Sequence, residues 1–358
     1  GERRFSATLY AAQPDSLPQR DALRGTGGSV YVLKRRDLVA GSETLRVEIV
    51  DPVTGRVVST RSLTAAEDYR IDYFQGTVIL AEPLTASASS GGVVTGGPSG
   101  DYVVNLVAQY EYVPAITDPD GAAFGGRVET WLPGDRVRLG VTAMDETTDT
   151  ADLQAQAVDL RFQISPDSHI EAEVAESSGT GFGRSVSTDG GFTWVDEPAT
   201  TGTDRARALR FGAEISLADL APGADGTLRA WYEDKEAGFQ TLSEDIAADQ
   251  TDWGFGLETR VSDRVSLSLG YEDFTSDDGN RRRLGEATVT FQTSDVTKVE
   301  LGVAHRDEVQ VGDAEDTGKR TDLGVRITRD LGADQSLYVF GQTTVARSGG
   351  IRRNDRVG

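Results

Sequence analysis

One structural unit returns along this chain, and no helical segment interrupts it. "WLPGDRVRLG" (131–140) makes a tight turn at Pro133-Gly134-Asp135 and leaves as a strand in which Val137, Leu139 and Val141 alternate with Arg138, Gly140 and Thr142. The plan recurs at 164–174, 220–232, 260–271, 292–303 and 329–340, with Asp167, Asp225, Asp263, Asp295 and Asp334 at the turns. A side-chain period of two is the signature of a strand with two unlike faces. Short turns between such strands make hairpins. The chain is therefore all-β, and its connectors decide which kind.

The organisation changes near "VPAITDPDGAA" (113–123). Before it lie short runs such as "TLRVEIVD" (44–51), "YRIDY" (69–73) and "DYVVNLVAQYEYV" (101–113), separated by turn signals and by the Gly/Ser tract 87–100. They predict a small β-sandwich-like domain over residues 1–115 and a linker over 116–123. From Phe124 the alternation becomes systematic and gives about a dozen strands, some slightly short of the roughly 9–11 residues of a tilted membrane strand. One phase is apolar (Leu160, Phe162; Phe211, Ile215; Phe255, Leu257; Val289; Leu301). The other carries Arg138, Arg161, Glu171, Glu173, Arg210, Glu214, Arg229, Glu233, Glu258, Arg260, Thr290 and Arg326.

The Asp-bearing connectors are short. Those at the opposite strand ends read as long and polar: 177–204, 234–250, 275–282 and 307–319. A meander with all its short turns at one end predicts an up-and-down antiparallel barrel over 124–358. An apolar outside with a polar inside makes it transmembrane, despite a mean hydropathy of −0.36. Both signs of charge share the polar phase, which suits hydrated ion pairs better than a pore selective for one sign. A net charge of −22 excludes nucleic acid as a partner, and the lack of Cys removes disulfides and thiolate chemistry.

Segment 124–345 resembles the outer-membrane β-barrels of Gram-negative bacteria. Residues 28–84 resemble a β module found beside barrel segments in very large bacterial outer-membrane and surface proteins. That likeness is carried by Asp68-Tyr69, Ile71-Asp72-Tyr73, Gly76 and Pro83-Leu84. The resemblance implies residence in the bacterial outer membrane and contact with its lipid, with other barrel segments or surface or periplasmic proteins as further partners. Porin-like transport, a structural role and surface interaction stay open. It transfers no catalytic residue.

Candidate sites read from the residues are weak. His169 and the run His305-Arg306-Asp307 lack a nucleophile and an orienting partner. "GDAEDTGKR" (312–320) has phosphate-loop spacing wrong by one residue and Arg320 where a hydroxyl belongs. The acidic turns "DPDG" (118–121) and "SDDGN" (276–280) are more simply bare turns than Ca²⁺ loops. The expectation is a non-enzyme with no catalytic, cofactor-binding or metal residues. The alternatives are a soluble secreted β-repeat adhesin and, behind it, a rim-histidine hydrolase.

Two expectations concern the ends. Gly1 reads as a processed end, and "SGGIRRNDRVG" closes the chain as another strand begins at Arg353 or Asp355. An open sheet in hydrocarbon leaves unpaired edges. The barrel is thus expected to be incomplete in this chain, closed by more of the same polypeptide or by further chains. Since short turns face the periplasm, "LPGD" (132–135) is expected there. The domain at 1–115 then lies at the cell surface or drops into the barrel from above; with the reverse topology it is periplasmic.

Overall fold

A computed structural model describes residues 5–12, 16–52, 54–88, 93–95, 102–114, 121–148, 152–181, 183–197, 202–241, 245–332 and 335–358, with the backbone alone given for 148, 202–204 and 313–316. The chain starts with β1 (Phe5–Ala12) and continues into β2 (Leu17–Arg24), β3 (Val30–Val32), β4 (Thr44–Val50), β5 (Val57–Ser62), β6 (Tyr69–Asp72), β7 (Thr77–Leu80), β8 (Ser87–Ala88) and β9 (Tyr102–Tyr112). Next come β10 (Gly121–Trp131), β11 (Val137–Thr148), β12 (Asp152–Ser165), β13 (Ser168–Gly179), β14 (Arg184–Ser187), β15 (Val195–Glu197) and β16 (Gly202–Ser216). One helical turn, α1 (Leu217–Leu220), precedes β17 (Asp225–Lys235), β18 (Gln250–Ser262), β19 (Val265–Ser276) and β20 (Arg281–Ser294). The last strands are β21 (Thr297–Gln310), β22 (Asp313–Gly332), β23 (Gln335–Gly349) and β24 (Arg356–Val357).

Fourteen strands form one antiparallel sheet in the order β1-β10-β11-β12-β13-β16-β17-β18-β19-β20-β21-β22-β23-β24. It is an up-and-down meander with β1 and β24 as its edges, and the sheet is not closed. The hairpin turns explain its regularity. In the first turn Gly134 and Asp135 take positive φ (100° and 52°), a conformation Gly and Asp tolerate best. The turns after β12, β18 and β20 share one geometry: a register shift in the last strand residues, then the closing pairs Ser165↔Ser168, Ser262↔Val265 and Ser294↔Thr297. A bulge at a hairpin end adds twist and pins the register.

The small module is built from two further sheets, β15-β14-β2-β9-β4-β5 (with β8 on β9) and β3-β7-β6. Leu23, Tyr31, Leu45, Val78, Leu106 and Ala108 fill the core between them. Two memberships differ from the sequence reading of residues 1–115 as one domain. "FSATLYAA" (5–12) leaves the module and pairs along its whole length with β10, from Phe5↔Thr130 to Ala12↔Ala123. Conversely β14 and β15, from the connector at 177–204, join the module's sheet through a parallel pairing of β14 with β2. The module is thus inserted between the first two strands of the large sheet, at the end opposite the short turns.

Of the four connectors read as long, 275–282 is half strand and 307–319 is almost all strand. β19 and β20 are joined by 277–280, and β21 and β22 by 311–312. Polar side chains do not prevent backbone pairing. These hairpin arms carry cross-strand ion pairs instead, including Arg283–Asp273 (2.9 Å), Arg281–Asp307 (3.3 Å) and Lys319–Asp307 (3.4 Å). "DPDG" (118–121) lies outside the described residues except for Gly121, as does Asp334.

Asp21 is fully buried in the module. Burial pushes its carboxyl up to about 6, against hydrogen bonds from the Lys34 N–H, the Tyr110 hydroxyl and the Gln19 amide. A carboxyl whose folded pKa exceeds its unfolded value contributes stability that is complete below about pH 4 and is lost as pH rises through about 6. The non-titrating Asp21→Asn variant should therefore gain on the wild type by up to about 3 kcal/mol between pH 4 and pH 8. Unfolding curves across that range check this, and a constant difference between the two proteins would refute it.

Candidate functional site on the inward face of the large sheet

Antiparallel partners share a face, so the registers sort the large sheet into two surfaces. One row runs Leu139–Leu160–Ala172–Phe211–Tyr232–Trp253, and another Leu228–Leu257–Leu269–Ala287–Val303–Leu323. This outward face is apolar and bare: Phe211, Phe255 and Leu301 are 48%, 41% and 47% exposed. Trp253, Tyr271 and Phe255 cluster there toward the module end, with ring centroids 5.2 and 6.1 Å apart. The inward face holds all eleven charged residues of the polar phase. They pair across strands, as Arg210–Glu233 (3.5 Å), Arg229–Glu214 (3.1 Å) and Arg326–Glu300 (2.7 Å). Arg127 and Arg138 share Asp159.

The module sits on that inward face. Its most engaged element is the β4–β5 turn, fixed by Gly55 at φ 71° and by the Asp51 carboxylate accepting the Thr54 N–H. This places Asp51 against Arg282 of β20; both side chains are almost fully buried. Arg56, across the turn, reaches Asp252 on β18 (3.1 Å) and Glu272 on β19, and lies 5.5 Å from the Trp231 ring. One oxygen of each carboxylate, Asp252 Oδ1 and Glu272 Oε1, has no hydrogen-bond donor among the described residues. The desolvation cost of such buried pairs offsets much of their attraction, while removal of one partner leaves an uncompensated buried charge.

Beside these contacts lies a cleft of about 690 Å³ between module and sheet, lined by Arg20, Arg56, His169, Arg210, Glu214 and Trp231 among others. On its far side, Tyr110 and Pro18 of the module border Glu146 and Leu153 of β11 and β12. From β11 to β23 a flat sheet would span about 48 Å at strand spacing near 4.8 Å. A module of under a hundred residues has a radius of gyration of only about 13 Å. The sheet must therefore curl around it, as a barrel wall does.

The sequence candidates do not converge. His169 faces inward into the cleft. His305 faces outward, its Nδ1 2.8 Å from Thr321 Oγ1, while Arg306 is buried on the opposite face, so strand alternation itself separates that run. Residues 313–320 of "GDAEDTGKR" are strand in β22. In "SDDGN", Asp278 is occupied by the Asn280 backbone and side chain. Sequence reasoning missed Asp51, Arg56 and Arg282, whose only signal is a turn, "DPVTGR", flanked by opposite charges. No family model, curated protein or solved structure matches this chain.

Removing Arg282 alone, as Arg282→Met, leaves the Asp51 charge buried and should cost about 3–5 kcal/mol. Neutralising both in Asp51→Asn/Arg282→Met should recover much of it. Denaturant unfolding of the wild type and the variants reads the difference. A double variant as unstable as the single one would assign the cost to packing instead of charge.

Proposed function

We propose that the large sheet is the wall of a bacterial outer-membrane β-barrel and that the module is its plug, inserted from the long-connector side. The observation that carries this reading is the pairing of a bare apolar outward face with an ionised inward face that holds a folded module. A soluble sandwich or adhesin would bury the apolar face against another sheet, and among the described residues no element covers it. Apolar patches this large mark membrane or protein contact. The aromatic cluster of Trp253, Tyr271 and Phe255, with the Asp273–Arg283 pair beyond it, is what the interfacial girdle of a membrane barrel contains. Fourteen is an even strand number, so β1 and β24 run in opposite directions and could meet in an antiparallel seam.

In this reading the role is non-catalytic. The plugged barrel resides in the outer membrane, contacts its lipid, and keeps an ion-paired, hydrated passage closed until the module shifts. Short turns lie in the periplasm, and the module enters from the cell surface.

Single cysteines at 211 and 257 should react poorly with water-borne reagents in proteoliposomes, while those at 210 and 258 react well. Leu257→Arg should cost about 2–4 kcal/mol if it lies near the bilayer midplane. The protein should also need detergent for solubility. Greater reactivity at 211 and 257 than at 210 and 258 would defeat the membrane reading.

A further inference from the structure

Within the Gly/Ser tract, residues 89–97 read Ser-Ser-Gly-Gly-Val-Val-Thr-Gly-Gly, so one β-branched triplet with two apolar residues stands between glycine pairs. That triplet is docked. Val93 and Val94 are 5% and 4% exposed and lie on the inward face of the large sheet. Their seat is made by Gly302 and Gly324, which are register partners on β21 and β22. A Cβ built on Gly302 would stand 3.0 Å from Val93 Cβ, and one on Gly324 would stand 3.0 Å from Val94 Cγ2. The missing side chains are what let the valines approach.

The backbone of Thr95 is read as well. Its N–H donates to Gln342 Oε1 (3.0 Å), and its carbonyl accepts from Gln342 Nε2 (3.0 Å). Asn354 Nδ2 and the Arg356 guanidinium donate to the same carbonyl. A primary amide that pairs with both backbone groups of one residue imitates a neighbouring strand. It recognises the backbone of that residue without regard to its side chain.

We infer that Gly302, Gly324, Gln342 and Asn354 form a peptide-binding site for a bent segment that turns two adjacent β-branched apolar side chains to one side, and that Val93-Val94-Thr95 occupies it in cis. A segment of the same chemistry from a partner polypeptide competes for the seat. Val93 forms part of the wall of an open cavity of about 710 Å³ that Thr288, Glu300 and Arg326 also line. Exchange of the segment therefore enlarges that cavity and further exposes the half-buried Thr288 beside Gly302. The inference rests on the inward face of the sheet alone and holds whether or not the outward face meets lipid.

The chain has no Cys, so Thr288→Cys is a single reporter beside the seat. In detergent, Val93→Ser/Val94→Ser should raise its alkylation rate by about tenfold or more, the factor lost with some 1.4 kcal/mol of docking. Gly302→Leu, which fills the seat from the other side, should do the same. Added at millimolar concentration, the peptide Gly-Gly-Val-Val-Thr-Gly-Gly should restore protection in the Val93→Ser/Val94→Ser protein and not in Gly302→Leu. Circular dichroism matching the wild type qualifies each variant; if one unfolds, the other carries the rate comparison, and the peptide is then tested as a competitor that speeds alkylation in the otherwise wild-type reporter. An unchanged rate in the folded variants would overturn the proposal. So would a peptide with no effect, or one that protects the Gly302→Leu protein equally.

Discussion

Register is the constraint on which the rest of this structure depends. With a side-chain period of two, a slip of one residue in any hairpin would turn every Arg and Glu of that strand outward and every Leu and Phe inward. Four registers near the short turns shift by the same device, at Gln163/Ser165, Arg260/Ser262, Gln292/Ser294 and Asp330/Gly332. Each lets a descending strand reverse within a few residues and keep its phase. The ion pairs then act as a check on the pairing. Arg210 faces Glu173 and Glu233 in register, and Arg326 faces Glu300, so a misaligned strand would meet like charges or none.

The polar face needs a second partner because cross-strand pairing leaves much of it open. Arg229 and Arg260 remain about 60% exposed at the short-turn end. Toward the other end Asp252, Glu272 and Arg282 are covered. Cover there comes from the module, through Asp51 and Arg56 of its β4–β5 turn. The hairpin β14–β15 belongs to the large sheet by connectivity and to the module by pairing. That hairpin, together with β1, ties the module at two points. Between the ties the contacts are ionic at the β4–β5 turn and apolar at Val93-Val94, two chemistries that respond to different perturbants: substitution of a buried charge for one, a competing apolar segment for the other.

The sequence made the two faces legible because alternation is local. Every inward and outward assignment from Arg138 to Arg326 agrees with the registers. What stayed hidden was non-local. "FSATLYAA" alternates no better than the module strands beside it, and its partner lies more than a hundred residues away. Polarity alone reads 275–282 and 307–319 as long loops, although a ladder needs only backbone groups: Thr275 and Ser276, Arg281 and Arg282, and all of 307–319 except the turn 311–312 lie in strands, while "SDDGN" keeps the short turn 277–280. The Val-Val-Thr triplet was submerged in the composition of its tract. Its meaning comes from two glycines over two hundred residues further on. The cluster at Asp51, Arg56 and Arg282 had no signature beyond its charges, since nothing local tells a turn which strand it will meet.

The insertion of the module between β1 and β10 has an energetic consequence for assembly. Pairing β1 with β10 in an unfolded chain closes a loop of more than a hundred residues. In the folded module, however, Leu17 and Tyr112 are direct partners in the β2–β9 ladder, so entrance and exit lie side by side. Once the module has folded, the same pairing closes only about a dozen free residues. Loop-closure entropy scales with the logarithm of length, and the reduction amounts to about 2 kcal/mol. A preformed module therefore favours the seam that anchors it, while β1, exposed along its whole length on one side of that seam, gains its pairing only where the module has brought β10 alongside. The order this favours, with the module before the pairing of β1 with β10, lets a folded domain come to lie on the inward face of the sheet without being threaded into it.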